Sequence, residues 1–471
     1  MDAVIGFLNT IFWGYVLIYG LLAVGVYFTL RLGFLQFVHF AEFFRVIRGS
    51  RATDRAGISP FQALTISLAS RVGTGNLAGV AVALYLGGPG AIFWMWMVAL
   101  VGMATAYSES TLAQLYKVTD DTGQYRGGPA FYIAKGLKAP WAGMIFSICL
   151  VLSFGLVFNA VQANSIAEAM EGAFSVPKLI TGLVLATFAG VIIFGGLRKI
   201  AAVAELVVPF MAVGYLLLAL YVVVTHLTLV PGVITHIIAN AFGWHEAAGG
   251  VAGGVAAAMM NGIKRGLFSN EAGMGSAPNI AACATPDPHH PSSQGFVQAL
   301  GVFIDTLVIC TCTAVMILLS GALEPGSGVT GMQLTQSALS EHFGFAGKYF
   351  VAIAIFFFAF TSIIGNYSYA ENAVIYLGHG HLTGLIALRI AALAMVVWGA
   401  IQTVATVFDT ADASMGLMAT INLIAIVLLS KTVVTLTRDY FAQRKAGKEP
   451  TFHAGEFPEL TKNVDHTIWT R

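Results

Sequence analysis

Long apolar runs, punctuated by glycine, proline and clustered charge, dominate the pattern of hydrophobic and polar positions along this chain. Reading them as helical segments predicts eleven spans, near residues 11–30, 59–86, 90–116, 141–162, 179–195, 201–225, 249–283, 292–320, 348–376, 384–407 and 414–437. Each is close to the roughly 20 apolar residues that cross a bilayer core as a helix. The expected fold is therefore an all-α polytopic membrane protein.

Composition supports this reading. The 471 residues are 57% hydrophobic and only 10% charged, against about 45–50% and about 25% in soluble domains. Lys and Arg number 24 against 23 Asp and Glu, so no basic field for nucleic acid exists. The segment 11–30 has no basic region before it and no small-residue cleavage pattern after it, and reads as a retained span. Cys149, Cys283, Cys310 and Cys312 read as small packing residues, without metal-ligand spacing.

Charge becomes informative once it is sorted by loop. Arg31, Arg45, Arg48, Arg51 and Arg55 follow the first span, Lys117, Arg126, Lys135 and Lys138 the third, and Arg198 and Lys199 the fifth. The alternate loops carry only Lys178 and Lys348. Basic loops stay on the cytoplasmic side, so the N-terminus is expected outside and the C-terminus inside, in a plasma membrane such as the bacterial inner membrane. The polar residues 438–471, with Pro450 and Pro458, read as a mostly disordered cytoplasmic tail.

Two spans are interrupted. The second contains Arg71-Val72-Gly73-Thr74-Gly75-Asn76, and unwound backbone at that depth must find partners in protein, water or ligand. A glycine-lined packing seam is the plainer alternative. The seventh contains Gly266-Leu267-Phe268-Ser269-Asn270-Glu271-Ala272-Gly273-Met274-Gly275; a second placement puts its break at Met260-Asn261-Gly262. With the first span set aside, spans two to six and seven to eleven form two sets of opposite topology, each opening on a broken helix. Residues 1–58 then form the N-terminal helix and basic loop, 59–225 the first repeat, 226–437 the second and 438–471 the tail. Paired interruptions point to a transporter site at the midplane. Helix N-termini there favour a carboxylate and freed carbonyls a cation.

Other polar residues sit inside spans. Thr361 and Ser362 offer neutral oxygens, or bond their own helix. Gln162, on the helix bearing Asn159, is an amide at membrane depth, suited to ligand or to interhelical bonding, and Asn366 in the ninth span is a further intramembrane polar residue. Asp305 and Arg71 are costly there unless paired, with Arg71 to Asp305 or Glu271 as possible pairs. Glu109 reads as interfacial.

Three blocks carry a resemblance: Gly87-Gly88-Pro89-Gly90-Ala91-Ile92-Phe93-Trp94-Met95-Trp96-Met97, Val72-Gly73-Thr74-Gly75-Asn76, and Arg265 through Pro278. They resemble the sodium:alanine symporter family, over about residues 5 to 445. The resemblance implies a leucine-transporter-type fold, ten core helices in an inverted 5+5 repeat plus an extra N-terminal helix. It implies Na⁺-coupled uptake of small neutral amino acids, chiefly alanine or glycine, with H⁺ as an alternative ion, no organic cofactor and no enzymatic activity. Thr74, Gly75 and Asn76 would meet the substrate carboxylate, with Gln162, Phe268, Ser269, Asn270 and Gly273 completing the pocket. Carbonyls of Ala69 and Val72 with Thr361 and Ser362 would hold Na⁺. Arg71 departs from the small apolar residue usual at its place in the wider fold. The rivals are a channel and a membrane enzyme, and neither HExxH nor GxSxG is present for the latter.

Overall fold

The computed structural model describes residues 2–48, 53–243, 251–324, 326–378 and 380–469. Arg51, Arg471 and the first two residues of the expected seventh span, 249–250, lie outside the described residues. Among the described residues, eight helices are long and apolar enough to cross a membrane: Ala3–Arg31, Gly90–Leu115, Pro140–Phe174, Gly196–Thr225, Pro291–Ser320, Ala346–Tyr376, Leu382–Ala400 and Val404–Leu428. The shorter apolar helix Lys178–Ile193 and two broken helices bring the spans to eleven.

The solvent for this fold is lipid, and the exposure pattern follows. Leu206, Phe210, Leu217, Leu220 and Val224 are exposed on Gly196–Thr225, whereas Asn76, Glu109, Asp305 and Asn366 are fully buried. Polar groups face the bundle axis because nothing in hydrocarbon can bond them.

The first broken helix starts at Ser59, which forms a capping box with Gln62 ahead of Pro60. It runs Pro60–Arg71, stops at Val72, resumes as a π-turn Gly75–Gly79 and ends as Val80–Gly87. The second runs Val251–Asn270 and resumes as Pro278–Cys283. Its break thus begins at Glu271, and the helix passes through Met260-Asn261-Gly262 without interruption. Gly273 and Gly275 take φ of +87° and +82°, which only glycine adopts without strain. The π-turn Gly75–Gly79 packs on Val251–Asn270 and on the π-helical segment Phe303–Cys310.

Two expectations are corrected. The last span begins at Val404, not 414, behind the N-cap Thr403, so Asp409 and Asp412 lie inside it. Residues 438–469 are ordered: the helix Ser430–Lys445 leads to a compact segment in which Phe452, Ala454 and Trp469 are fully buried. The Phe452 N–H bonds the His289 carbonyl at 2.9 Å, and Trp469 Nε1 donates to the Leu115 carbonyl at 3.3 Å. Large aromatics at the far end of a polar tail supply the apolar area that orders it. Beneath Trp469, Lys117 donates to the Ala284 carbonyl at 2.9 Å and lies 3.9 Å from the Tyr125 ring centre. Burial pushes its ammonium down to about 7.

Candidate functional site

The two breaks meet. A side chain at Gly75 would lie 3.1 Å from the Ser269 Cα and 3.2 Å from Phe268 Cδ1, so the turn that follows the first break rests on the last helical turn before the second. Phe268 stacks on Phe158 at 4.7 Å between ring centres and lies 5.5 Å from Phe408.

At the first break, Gln162 Oε1 accepts from the Thr74 N–H at 2.9 Å, and Asn76 Oδ1 accepts from the Gly73 N–H at 2.9 Å. These side chains replace the helical bonds lost by unwinding. Ser362 Oγ donates to the Ala69 carbonyl at 2.7 Å. A Cβ on Gly73 would sit 2.2 Å from Ser362 Oγ and 2.6 Å from Gln162 Oε1, so three elements converge on a point that only glycine leaves open. Thr361 instead donates to its own helix at the Phe358 carbonyl, 2.9 Å away, and is not brought to Ala69 or Val72.

Asp305 ties both breaks together. Its Oδ1 accepts from Asn76 Nδ2 at 2.7 Å, and its Oδ2 from Ser269 Oγ and Thr306 Oγ1, each at 2.7 Å. The Asn76 side chain is thereby committed to protein. Thr74 Oγ1 and Asn270 Nδ2, each next in sequence to the contact between the breaks, are buried with no hydrogen-bond partner. Asn270 Oδ1 accepts from the Ala272 N–H at 3.0 Å, fixing the start of the second break.

Glu109 is central rather than interfacial. It is fully buried, with Oε1 accepting from the Gly273 N–H at 3.2 Å and Oε2 from Asn422 Nδ2 at 2.7 Å. Asn422 also donates to the Gly273 carbonyl at 2.9 Å. Tyr132 donates to Asn422 Oδ1. Glu271 and Asn366 meet at Ser70, whose Oγ lies 2.7 Å from Glu271 Oε1 and 2.5 Å from Asn366 Oδ1.

The basic residues at the centre separate into two cases. Arg265 and Lys264 pair with Asp412, the latter at 3.4 Å. Asp412 is a partner that sequence reading assigned to a loop. Arg71 has no ion pair within 4.0 Å among the described residues: Nη1 donates to the Gln298 carbonyl at 3.2 Å, while Nε and Nη2 are unbonded. The suggested direct pairs with Asp305 and Glu271 are therefore not formed.

A helical bundle with membrane-spanning helices, two of its helices broken and a buried polar centre where they approach each other, is the arrangement that secondary transporters use. The sequence profile of the sodium:alanine symporter family matches residues 1–454. The chain belongs to that family, whose members are symporters. It is 51% identical over 453 residues to the amino-acid carrier protein AlsT of Bacillus subtilis (strain 168), covering 96% of this chain and 95% of the relative. It is 50% identical to the probable sodium/glutamine symporter GlnT of the same organism, over 96% and 93% of the two chains. A sodium/proton-dependent alanine carrier protein of Bacillus sp. (strain PS3) is 40% identical over 86% of this chain and 93% of its own.

Proposed function

We propose that this chain takes up a small neutral amino acid, alanine or glycine, together with Na⁺, at the centre where the two breaks meet. The observation that carries the reading is the close packing of Gly75 on Phe268 and Ser269, where even an added Cβ would lie 3.1 Å from the Ser269 Cα, so a substrate admitted between these elements must be small. The Thr74 hydroxyl and the Gly75 backbone would take the substrate carboxylate. Gln162, Asn270 and Gly273 would line the rest of the pocket, and the stacked Phe158 and Phe268 would close over it. The Ala69 carbonyl and the Ser362 hydroxyl supply hard oxygen suited to Na⁺, with the Val72 carbonyl as a further ligand. Thr361 joins them only if its hydroxyl leaves Phe358.

Gln162, Ser362 and Thr361 are bonded to protein, whereas Thr74 Oγ1 and Asn270 Nδ2 are not, so ion and substrate enter largely by exchanging partners. That is how binding energy becomes a conformational bias. The distribution of basic loops supports an orientation with the N-terminus outside and the C-terminus in the cytoplasm of a bacterial inner membrane. H⁺ as a coupling ion is the second reading, favoured by three buried carboxylates, Glu109, Glu271 and Asp305, that lack a salt bridge among the described residues. The name of the Bacillus sp. relative is in keeping with it.

Proteoliposomes loaded with K⁺ are expected to accumulate labelled alanine above equilibrium when Na⁺ is outside, and to lose accumulation when choline replaces it. Equal accumulation in choline removes the sodium role. Non-saturating current without accumulation makes the chain a channel.

A further inference from the structure

Resting on the transport reading above, we propose that Glu271 is a proton-binding site, protonated while the two breaks are closed on each other, and that loss of this proton accompanies their separation.

One buried chain of side chains holds a fixed number of hydrogens. Asn159 Nδ2 donates to the Gly155 carbonyl at 3.0 Å, and a backbone carbonyl accepts only, so the orientation of the Asn159 amide is fixed. Its Oδ1 then accepts from Asn366 Nδ2 at 3.2 Å, which turns Asn366 Oδ1 toward Ser70. Ser70 Oγ lies 2.5 Å from Asn366 Oδ1 and 2.7 Å from Glu271 Oε1. One hydroxyl has one hydrogen. With Asn366 Oδ1 committed as an acceptor, a charged Glu271 puts two acceptors against a single donor, one of them in hydrogen-bond contact with no hydrogen between.

A proton on Glu271 Oε1 resolves the count. The carboxyl donates to Ser70, Ser70 to Asn366, Asn366 to Asn159 and Asn159 to the Gly155 carbonyl. Glu271 Oε2 accepts from Ser276 Oγ at 2.6 Å. The neighbouring carboxylates need no such proton: Asp305 accepts from Asn76, Ser269 and Thr306, and Glu109 from Gly273 and Asn422.

Position adds to the count. Glu271 has φ of +59°, the left-handed turn that ends the helix Val251–Asn270, where glycine is the unstrained choice. A glutamate held there is strained, and such strain persists only where the surroundings over-determine it. Ser70 stands in the last turn before the first break, so the proton joins the ends of both broken helices and, through Asn366 and Asn159, two further spans. The charged and titratable groups around it are Arg71 on the first broken helix, Glu109 on Gly90–Leu115, Asp305 on Phe303–Cys310 and Tyr369 on Ala346–Tyr376. Arg71 favours the charged form and so supplies the opposing pull that lets the proton leave when the chain of bonds is broken. The sign follows: the closed arrangement binds one more proton than the separated one, so it is favoured at low pH and loses population as pH rises.

The test is infrared spectroscopy of the reconstituted full-length protein at neutral pH, in choline and in Na⁺ buffers. A protonated-carboxyl C=O band is expected in both, lost in Glu271→Gln and kept in Glu109→Gln and Asp305→Asn. Ser70→Ala, which keeps Glu271 but removes its acceptor, is expected to shift the band. A band unaffected by Glu271→Gln, or unshifted by Ser70→Ala, overturns the proposal. So does a band that vanishes on adding Na⁺ alone, which assigns these oxygens to a cation. In uptake assays the amide of Glu271→Gln still donates to Ser70, so a pH dependence present in the wild type is expected to be flattened; an unchanged profile overturns the proposal. A wild type that carries no alanine defeats the transport reading while leaving the infrared result to decide the proton site.

Discussion

Gly73→Ala is expected to lower Na⁺-dependent alanine uptake by about tenfold or more, while Gly79→Ala, six residues on, leaves it near the wild-type rate. At Gly73 a new Cβ falls 2.2 Å from Ser362 Oγ and 2.6 Å from Gln162 Oε1; at Gly79 its nearest neighbour is the Thr74 carbonyl at 3.6 Å, an ordinary contact. Overpacking a filled interior costs about 1–3 kcal/mol, and 1.4 kcal/mol is a factor of ten in an equilibrium. Here the neighbours have little freedom to yield. Ser362 is bonded to the Ala69 carbonyl and Gln162 to the Thr74 N–H, so moving either dismantles the first break. Initial uptake rates at several Na⁺ concentrations check this: the Na⁺ requirement should rise in Gly73→Ala. Equal rates in the two variants would show that the convergence on Gly73 has no part in transport.

Asp412→Ala is expected to be the most destabilising single change of the centre, by about 3–5 kcal/mol, because it leaves a buried guanidinium without its carboxylate. Arg265 and Asp412 have side chains only 4% and 3% exposed, with Lys264 adding a second positive charge at 3.4 Å. The Arg265 guanidinium also lies 5.0 Å from the Phe408 ring centre and 5.6 Å from that of Phe268. The ion pair therefore stands directly behind an aromatic face of the proposed pocket. Removing all three charges together, as Lys264→Met, Arg265→Met and Asp412→Leu, is expected to restore much of the stability, since an apolar cluster of similar volume replaces a desolvated pair. Thermal unfolding of the purified variants reads both effects; a wild-type midpoint for Asp412→Ala would mean that the pair is not held in the folded protein.

The same residues show where sequence reading reaches its limit. Gly73-Thr74-Gly75-Asn76 announced its break because adjacent glycines at membrane depth have no other economical use, and Gly273 and Gly275 did so again. Asp412 was hidden because an acid in an apolar run looks, in one dimension, like the edge of a loop; its partner Arg265 is 147 positions away. The usable signal was that Lys264 and Arg265 had to be neutralised within the membrane. Glu109 was assigned to the interface by its distance from the middle of its span, whereas the second break descends to meet it. Asn76 was legible as a polar group at the break but not as the donor to Asp305, because that bond depends on how two distant helices cross. The tail was misread for a related reason: its average polarity conceals Phe452 and Trp469, and order there depends on two large side chains rather than on composition.

The central claim is that amino acid and Na⁺ meet at one centre built from both breaks. Equilibrium binding of labelled alanine to the purified protein, measured across Na⁺ concentrations and paired with Na⁺ binding across alanine concentrations, tests it most directly. Each ligand is expected to tighten the other by the same factor, roughly 5- to 150-fold for coupling of ordinary strength. An alanine Kd that is the same in Na⁺ and in choline would contradict it.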